Sequence, residues 1–150
     1  MDRNLQLLGI AKKAGLLAIG GESASASAKS GRARAIITAR DASEGAKRRA
    51  QRDAEFCGAA FAVTHYTKFE FGSVTGRGSP GTLAVMDAGL AAGFLKSLAE
   101  DDPERYGAAA RDAALMAETM RTPYRTGKTP AADKPRGGRN KTAGKRRTAK

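Results

Sequence analysis

Three short apolar runs, RAIITA at 34–39, AAFAVTH at 59–65 and TLAVMD at 82–87, alternate along the chain with longer stretches of helical spacing. Each run is bounded by turn residues and is too short for a helix, so each reads as a strand. Ahead of them, Leu5, Leu8 and Ala11 lie on one stripe of a first helix over 4–14, with Asn4 as cap and Gly15 as stop. LLAI at 16–19 is a brief apolar segment ended by Gly20 and Gly21, and 22–30 has the length of a short helix closed by Gly31. Asp41 precedes Glu44 by the spacing of a capping box, which opens a helix through Cys57 with Ala46, Ala50, Ala54 and Cys57 as its buried stripe. A short helix from 67 or 68 to 74 follows, then one carrying Leu90, Phe94, Leu95 and Leu98, then an Ala-rich helix over 103–120 that begins at Pro103. This alternation predicts an α/β layered sandwich with right-handed crossovers.

The supply of large side chains sets the size of that sandwich. Hydrophobic residues make up 41% of the 150, and 31 of them are alanine. The remainder supports one compact domain of about 100 residues and not two. No apolar run approaches the roughly 20 residues of a membrane helix, and Asp2 and Arg3 open the chain without a signal-type segment. A soluble, cytoplasmic protein is expected. One Cys (Cys57) and one His (His65) exclude an internal disulfide and a zinc site of the usual Cys/His spacing. Those two absences remove a good deal of chemistry; no metal or cofactor is expected, and no catalytic residue is singled out.

Charge divides the chain further. The net +12 is concentrated in residues 121–150, which carry 11 Lys or Arg against Asp133 alone. Residues 97–120 hold six acids against Arg105 and Arg111, an acidic collar between that tail and a mildly basic body. The tail is rich in Pro, Gly, Thr and Lys with little to bury, so ordering it costs more backbone entropy than packing returns, and it is expected to be disordered. Two roles fit it: an arm attracted to phosphates regardless of sequence, or a solubilising extension. The body reads as 1–100, a separate helix as 101–120 and the tail as 121–150.

Motifs that suggest chemistry lack the setting it needs. Gly76, Gly78 and Gly81 match a dinucleotide fingerprint in spacing, but that fingerprint leaves a strand and opens a helix, whereas this loop follows a helix and enters a strand. A loop open to close approach by a ligand such as an RNA base and a plain connection both remain open. His65 reads as a structural or surface residue, and Cys57 as a small core residue. Ten bases fall between Lys12 and Arg52: Lys12, Lys13, Lys29, Arg32, Arg34, Arg40, Lys47, Arg48, Arg49 and Arg52. They form either a solvated surface or a phosphate-binding one. Few aromatics accompany them, so stacking on an aromatic platform is not the expected mode.

The GlyGlyGlu turn entering a short helix, together with the segments LGIAKKAG (8–15), SGRARAIITARDAS (30–43) and DAGLA (87–91), resembles the ribosomal protein L-seven-Ae family of kink-turn RNA binders, in its small bacterial YlxQ-like branch. The resemblance covers roughly residues 4–99 and rests on the order and spacing of these segments. It implies a three-layer α/β/α sandwich with a small mixed sheet and a non-enzymatic protein that binds sharply bent RNA, ribosomal RNA or the ribosome being the candidate partners. It implies that the turn at 20–25 reads tandem G·A pairs. Glu22 matches the family's acid there, while Gly21 stands at its Asn position and Ser25 at its Lys position. The loop of Arg77, Gly78, Ser79 and Pro80 corresponds to the family's second contact, against a flipped-out nucleotide. Lys12, Lys13, Lys29, Arg40 and Lys47 are then expected to hold phosphates around the turn Gly20, Gly21, Glu22 and Ser25. Glu22, an acceptor beside free helix amides, suits a base edge better than a phosphate; the alternative is that it merely stabilises the first turn. A monomer without membrane contact is expected. Two other readings stay open: an architectural nucleic-acid binder acting through its tail, and an interaction module with a pocket between Asp87 and the glycine loop.

Overall fold

The computed structural model describes the backbone of residues 3–127 and the side chains of residues 3–119. The elements run α1 (Arg3–Lys13), β1 (Leu17–Ile19), α2 (Gly21–Lys29), β2 (Ala35–Thr38), α3 (Glu44–Cys57), β3 (Ala60–Val63), α4 (Lys68–Thr75), β4 (Thr82–Val85), α5 (Ala88–Asp101) and α6 (Pro103–Gly127). The chain is an α/β/α sandwich around a four-stranded mixed sheet of order β1-β4-β2-β3. Alternate strand residues face opposite sides, as the pleat requires. Leu17, Ala35, Ile37, Leu83 and Val85 join the core under α1, α4, α5 and α6, whereas Ala18, Ile36 and Ala84 join the core under α2 and α3.

Strict alternation of strands and helices favours an all-parallel sheet, but only β2 and β3 are parallel; β4 runs antiparallel to both β1 and β2. The loop ahead of β4 is the reason. After α4 it climbs back beside the helix. Gly78 passes so close to Gly72 that a Cβ there would meet the Gly78 carbonyl oxygen at 1.9 Å, and Gly81 reaches Ala42 and Lys68 near the helix start. β4 therefore begins level with the end of β2, where Thr82 pairs with Thr38.

Helix starts follow local chemistry, with two departures from expectation. α3 is capped by Ser43, whose Oγ accepts from Ala46 N at 3.1 Å, and not by Asp41. Asp41 lies too far ahead of Glu44 in the loop and instead accepts from Lys68 N at 2.9 Å, at the start of α4. Asn4 is a buried residue inside α1 rather than its cap. Thr67 and Glu70 form a reciprocal capping box on α4, and Asp87 caps α5.

The compact unit runs through Ala117, because Tyr106, Ala109 and Ala113 of α6 are buried in the larger core. The described residues 118–127 belong to a second unit. Helix continues to Gly127, into the segment expected to lack structure, since a nucleated helix gains a backbone bond for each residue added. The rest of the expected disordered tail, 128–150, lies outside the described residues. Among the described residues no helix is long and apolar enough to cross a membrane.

Candidate nucleic-acid interface

One end of the sheet gathers the connections that leave β1, β2 and β3 and the one that enters β4. Gly20 N donates to Thr82 O at 2.9 Å, Ala39 N to Gly81 O at 2.9 Å, and Arg40 N to Tyr66 O at 2.8 Å. α2, α3 and α4 all begin there. The turn at 20–22 thus begins beside Thr82, one residue past Gly81, where the glycine loop enters β4.

The start of α2 differs from the other helix starts at this end. Gly20 occupies the cap with φ 98° and ψ 160°, a region essentially restricted to glycine, and it offers no side chain to the first-turn amides. Glu22 follows as an exposed carboxylate. An exposed acceptor beside amide donors gives this turn both hydrogen-bonding polarities.

The expected contact residues divide by position. Arg77, Gly78 and Ser79 are exposed, and Pro80 is half-buried where the loop returns to the sheet. Arg40 is exposed and its Nε donates to His65 O at 3.1 Å. Lys47 Nζ donates to Arg40 O at 3.0 Å and lies 3.6 Å from Glu44, so it ties the loop after β2 to α3. Lys12 reaches the first residue of the glycine loop, its Nζ 3.8 Å from where a Gly76 Cβ would stand, and Lys13 borders the groove between α1 and α4. Lys29 is in the last turn of α2, about 12 Å along the helix from Gly21, and is not brought to the turn.

Ser25 is 5% exposed, so it is not a surface contact as its place in the turn suggested. Its hydroxyl donates to the Asp53 carboxylate and accepts from Arg49 Nε at 2.9 Å. Helical periodicity explains the burial, since Ser25 falls beside Ala24 and Ala28 on the face of α2 turned toward α3. In the sequence Arg49 is one of four bases on α3, with nothing that ties it to the turn. The available signal was Arg49 and Asp53 four residues apart, on one helix face.

Other candidates are accounted for within the fold. Asp87 accepts from Leu90 N at 2.9 Å at the far end of β4, so it does not share a pocket with the glycine loop. Cys57 is half-buried at the end of α3. His65 Nδ1 lies 3.2 Å from the Tyr106 hydroxyl. Burial raises the Tyr106 phenol above the ordinary tyrosine pKa, against the lowering effect of Arg105. Among the described residues, no group of three or more His, Cys, Asp or Glu is placed to hold a metal ion.

No protein-family model matches the chain, and no curated protein does. Among solved structures, the chain is similar to a protein with unknown function from Bacillus halodurans C, with a TM-score of 0.59 and 22% identity over 64% of this chain and 96% of that one. At that identity the likeness shows a shared fold alone.

Proposed function

We propose that this chain is a non-enzymatic, cytoplasmic RNA-binding protein that seats a sharply bent, structured RNA, ribosomal RNA being the first candidate. The RNA lies across the turn at 20–22 and the loop at 77–80. The observation that supports this reading is the hydrogen bond from Gly20 N to Thr82 O, which sets the turn that carries the exposed Glu22 against the first residue of β4, where the glycine loop enters the sheet. A regular RNA duplex hides its major-groove base edges in a deep, narrow groove, whereas a kink splays bases outward. A carboxylate is repelled by phosphate but accepts from an exposed base amino or imino group. The solvent-facing Arg40, Arg77 and Lys12 supply cations for the flanking backbone, and the basic tail adds attraction that falls as salt rises.

Competition binding with a kink-turn RNA and a plain duplex of equal length tests the reading. Glu22→Ala is expected to weaken the kink-turn complex by about 5- to 150-fold, the loss of one base-edge contact, and to leave the duplex unchanged. Removing 128–150 is expected to flatten the salt dependence on both RNAs without erasing the preference. Equal binding of both RNAs by the intact protein, or loss of all preference with the tail, overturns it in favour of an architectural role.

A further inference from the structure

We infer that Arg49 is the specificity-determining donor of this end of the molecule, presenting its guanidinium to the O6/N7 edge of a guanine lying across the turn at 20–22. The inference rests on the RNA-binding reading and deepens it by naming a base and the residue that reads it.

Arg49 belongs to α3 but is held against α2. Its Nε donates to Ser25 Oγ, and that hydroxyl in turn donates to Asp53, so a chain of two hydrogen bonds fixes the guanidinium from behind. Nη1 lies 3.7 Å from where a Gly21 Cβ would stand. The side chain therefore spans from the second turn of α2 to the first, while the residue as a whole stays exposed. With Nε committed to Ser25, the donors left for a ligand are those on Nη1 and Nη2, a planar pair spaced to meet two acceptors on one edge. Gly21 brings no side chain to the place beside Nη1.

Two observations narrow the ligand group. The cleft below, lined by Gly21, Ala46, Arg49, Ala50, Asp53 and Thr82, has a volume of about 60 Å³. That is well under the ~150 Å³ in which a benzene ring fits, so a base meets the site by its edge and does not enter it. Glu22 follows Gly21 directly and disfavours phosphate at the same place. Guanine alone among the bases offers two adjacent acceptors, O6 and N7, for the fork, and it also carries imino and amino donors for a carboxylate. Ser25 and Asp53 are then positioning residues, acting through the orientation of Arg49.

The test uses the full chain and a kink-turn RNA in which each guanine in turn is replaced by 7-deazaguanine, which lacks the N7 acceptor. With the unaltered protein, one replacement is expected to weaken binding by about fivefold or more. Arg49→Lys keeps the charge and loses the fork, so it is expected to bind the parent RNA more weakly and to become indifferent to that replacement. Ser25→Ala releases Nε and is expected to reduce the sensitivity without abolishing it. If Arg49→Lys remains as sensitive as the unaltered protein, or if no guanine replacement matters to a protein that still prefers the kink-turn, the inference fails while the RNA-binding reading stands. If the unaltered protein shows no preference for the kink-turn over the duplex, both fail.

Discussion

On one face of the sheet, α1, α4, α5 and α6 bury Leu8, Phe71, Phe94, Leu95, Leu98 and Tyr106, none more than 1% exposed. On the other, α2 and α3 bury Ala24, Ala28, Ala50 and Ala54 around Ile36. Burial of a large apolar side chain is worth roughly 1.5–3 kcal/mol, and a methyl group contributes much less. The first face therefore carries most of the stability. What the alanine face gains is proximity, because small side chains let helices approach closely. That proximity lets Arg49 of α3 reach Ser25 and Gly21 of α2. The difference teaches that the scarcity of large residues, a limit on core size, is also what brings the two helices of the candidate site together.

The widest separation between the faces should appear on truncation. Phe71→Ala is expected to cost about 3–5 kcal/mol in urea unfolding, with RNA preference retained by the folded fraction, because the cavity forms away from α2. A cost below about 1 kcal/mol would break the proposed division of labour. Overfilling the other face comes next. Ala54→Leu is expected to cost about 1–3 kcal/mol, since the added methylenes force α3 outward, and to reduce kink-turn preference even under conditions where the protein is folded. Unchanged preference would show that the spacing of α2 and α3 does not matter to binding.

A smaller effect comes from pH. Burial raises the Tyr106 pKa above its ordinary 10.0, so the folded state favours the neutral phenol. The associated stability is present below the unfolded pKa and is lost as pH rises through the folded one. Thermal unfolding of the parent protein should therefore decline more steeply above about pH 10 than that of Tyr106→Phe. Parallel curves would remove Tyr106 ionisation as a contributor to the larger core.

The parts of this molecule legible in the sequence are those set by local pattern. The three apolar runs became β2, β3 and β4, and α3 ends at Cys57 as expected, closed by Gly58 in a left-handed conformation. Ala109 and Ala113, four residues apart in an Ala-rich stretch, did not reveal that they face the core, because alanine carries little directional signal. The antiparallel entry of β4 depends on Gly78 passing against Gly72, a contact between residues that no periodicity links. Exposure of Glu22 agrees with the sequence reading, whereas Ser25 turned inward because helix phase governs it more than its place in the turn. The place of Arg49 depends on Ser25 across a helix interface, and among the four bases close together on α3 only the Asp53 four residues further on marks the one that turns toward α2.

The central claim is that folded RNA seats where the turn after β1 meets the loop before β4. The most direct measurement is a backbone amide map by NMR of the isotope-labelled chain, with and without kink-turn RNA, recording both shift changes and hydrogen exchange. The expected result is change and protection at residues 20–23 and 77–81, with α5 and residues 29–34 unaffected. Change confined to 29–34 or to the basic tail, with the turn as it was in the free protein, would contradict the account.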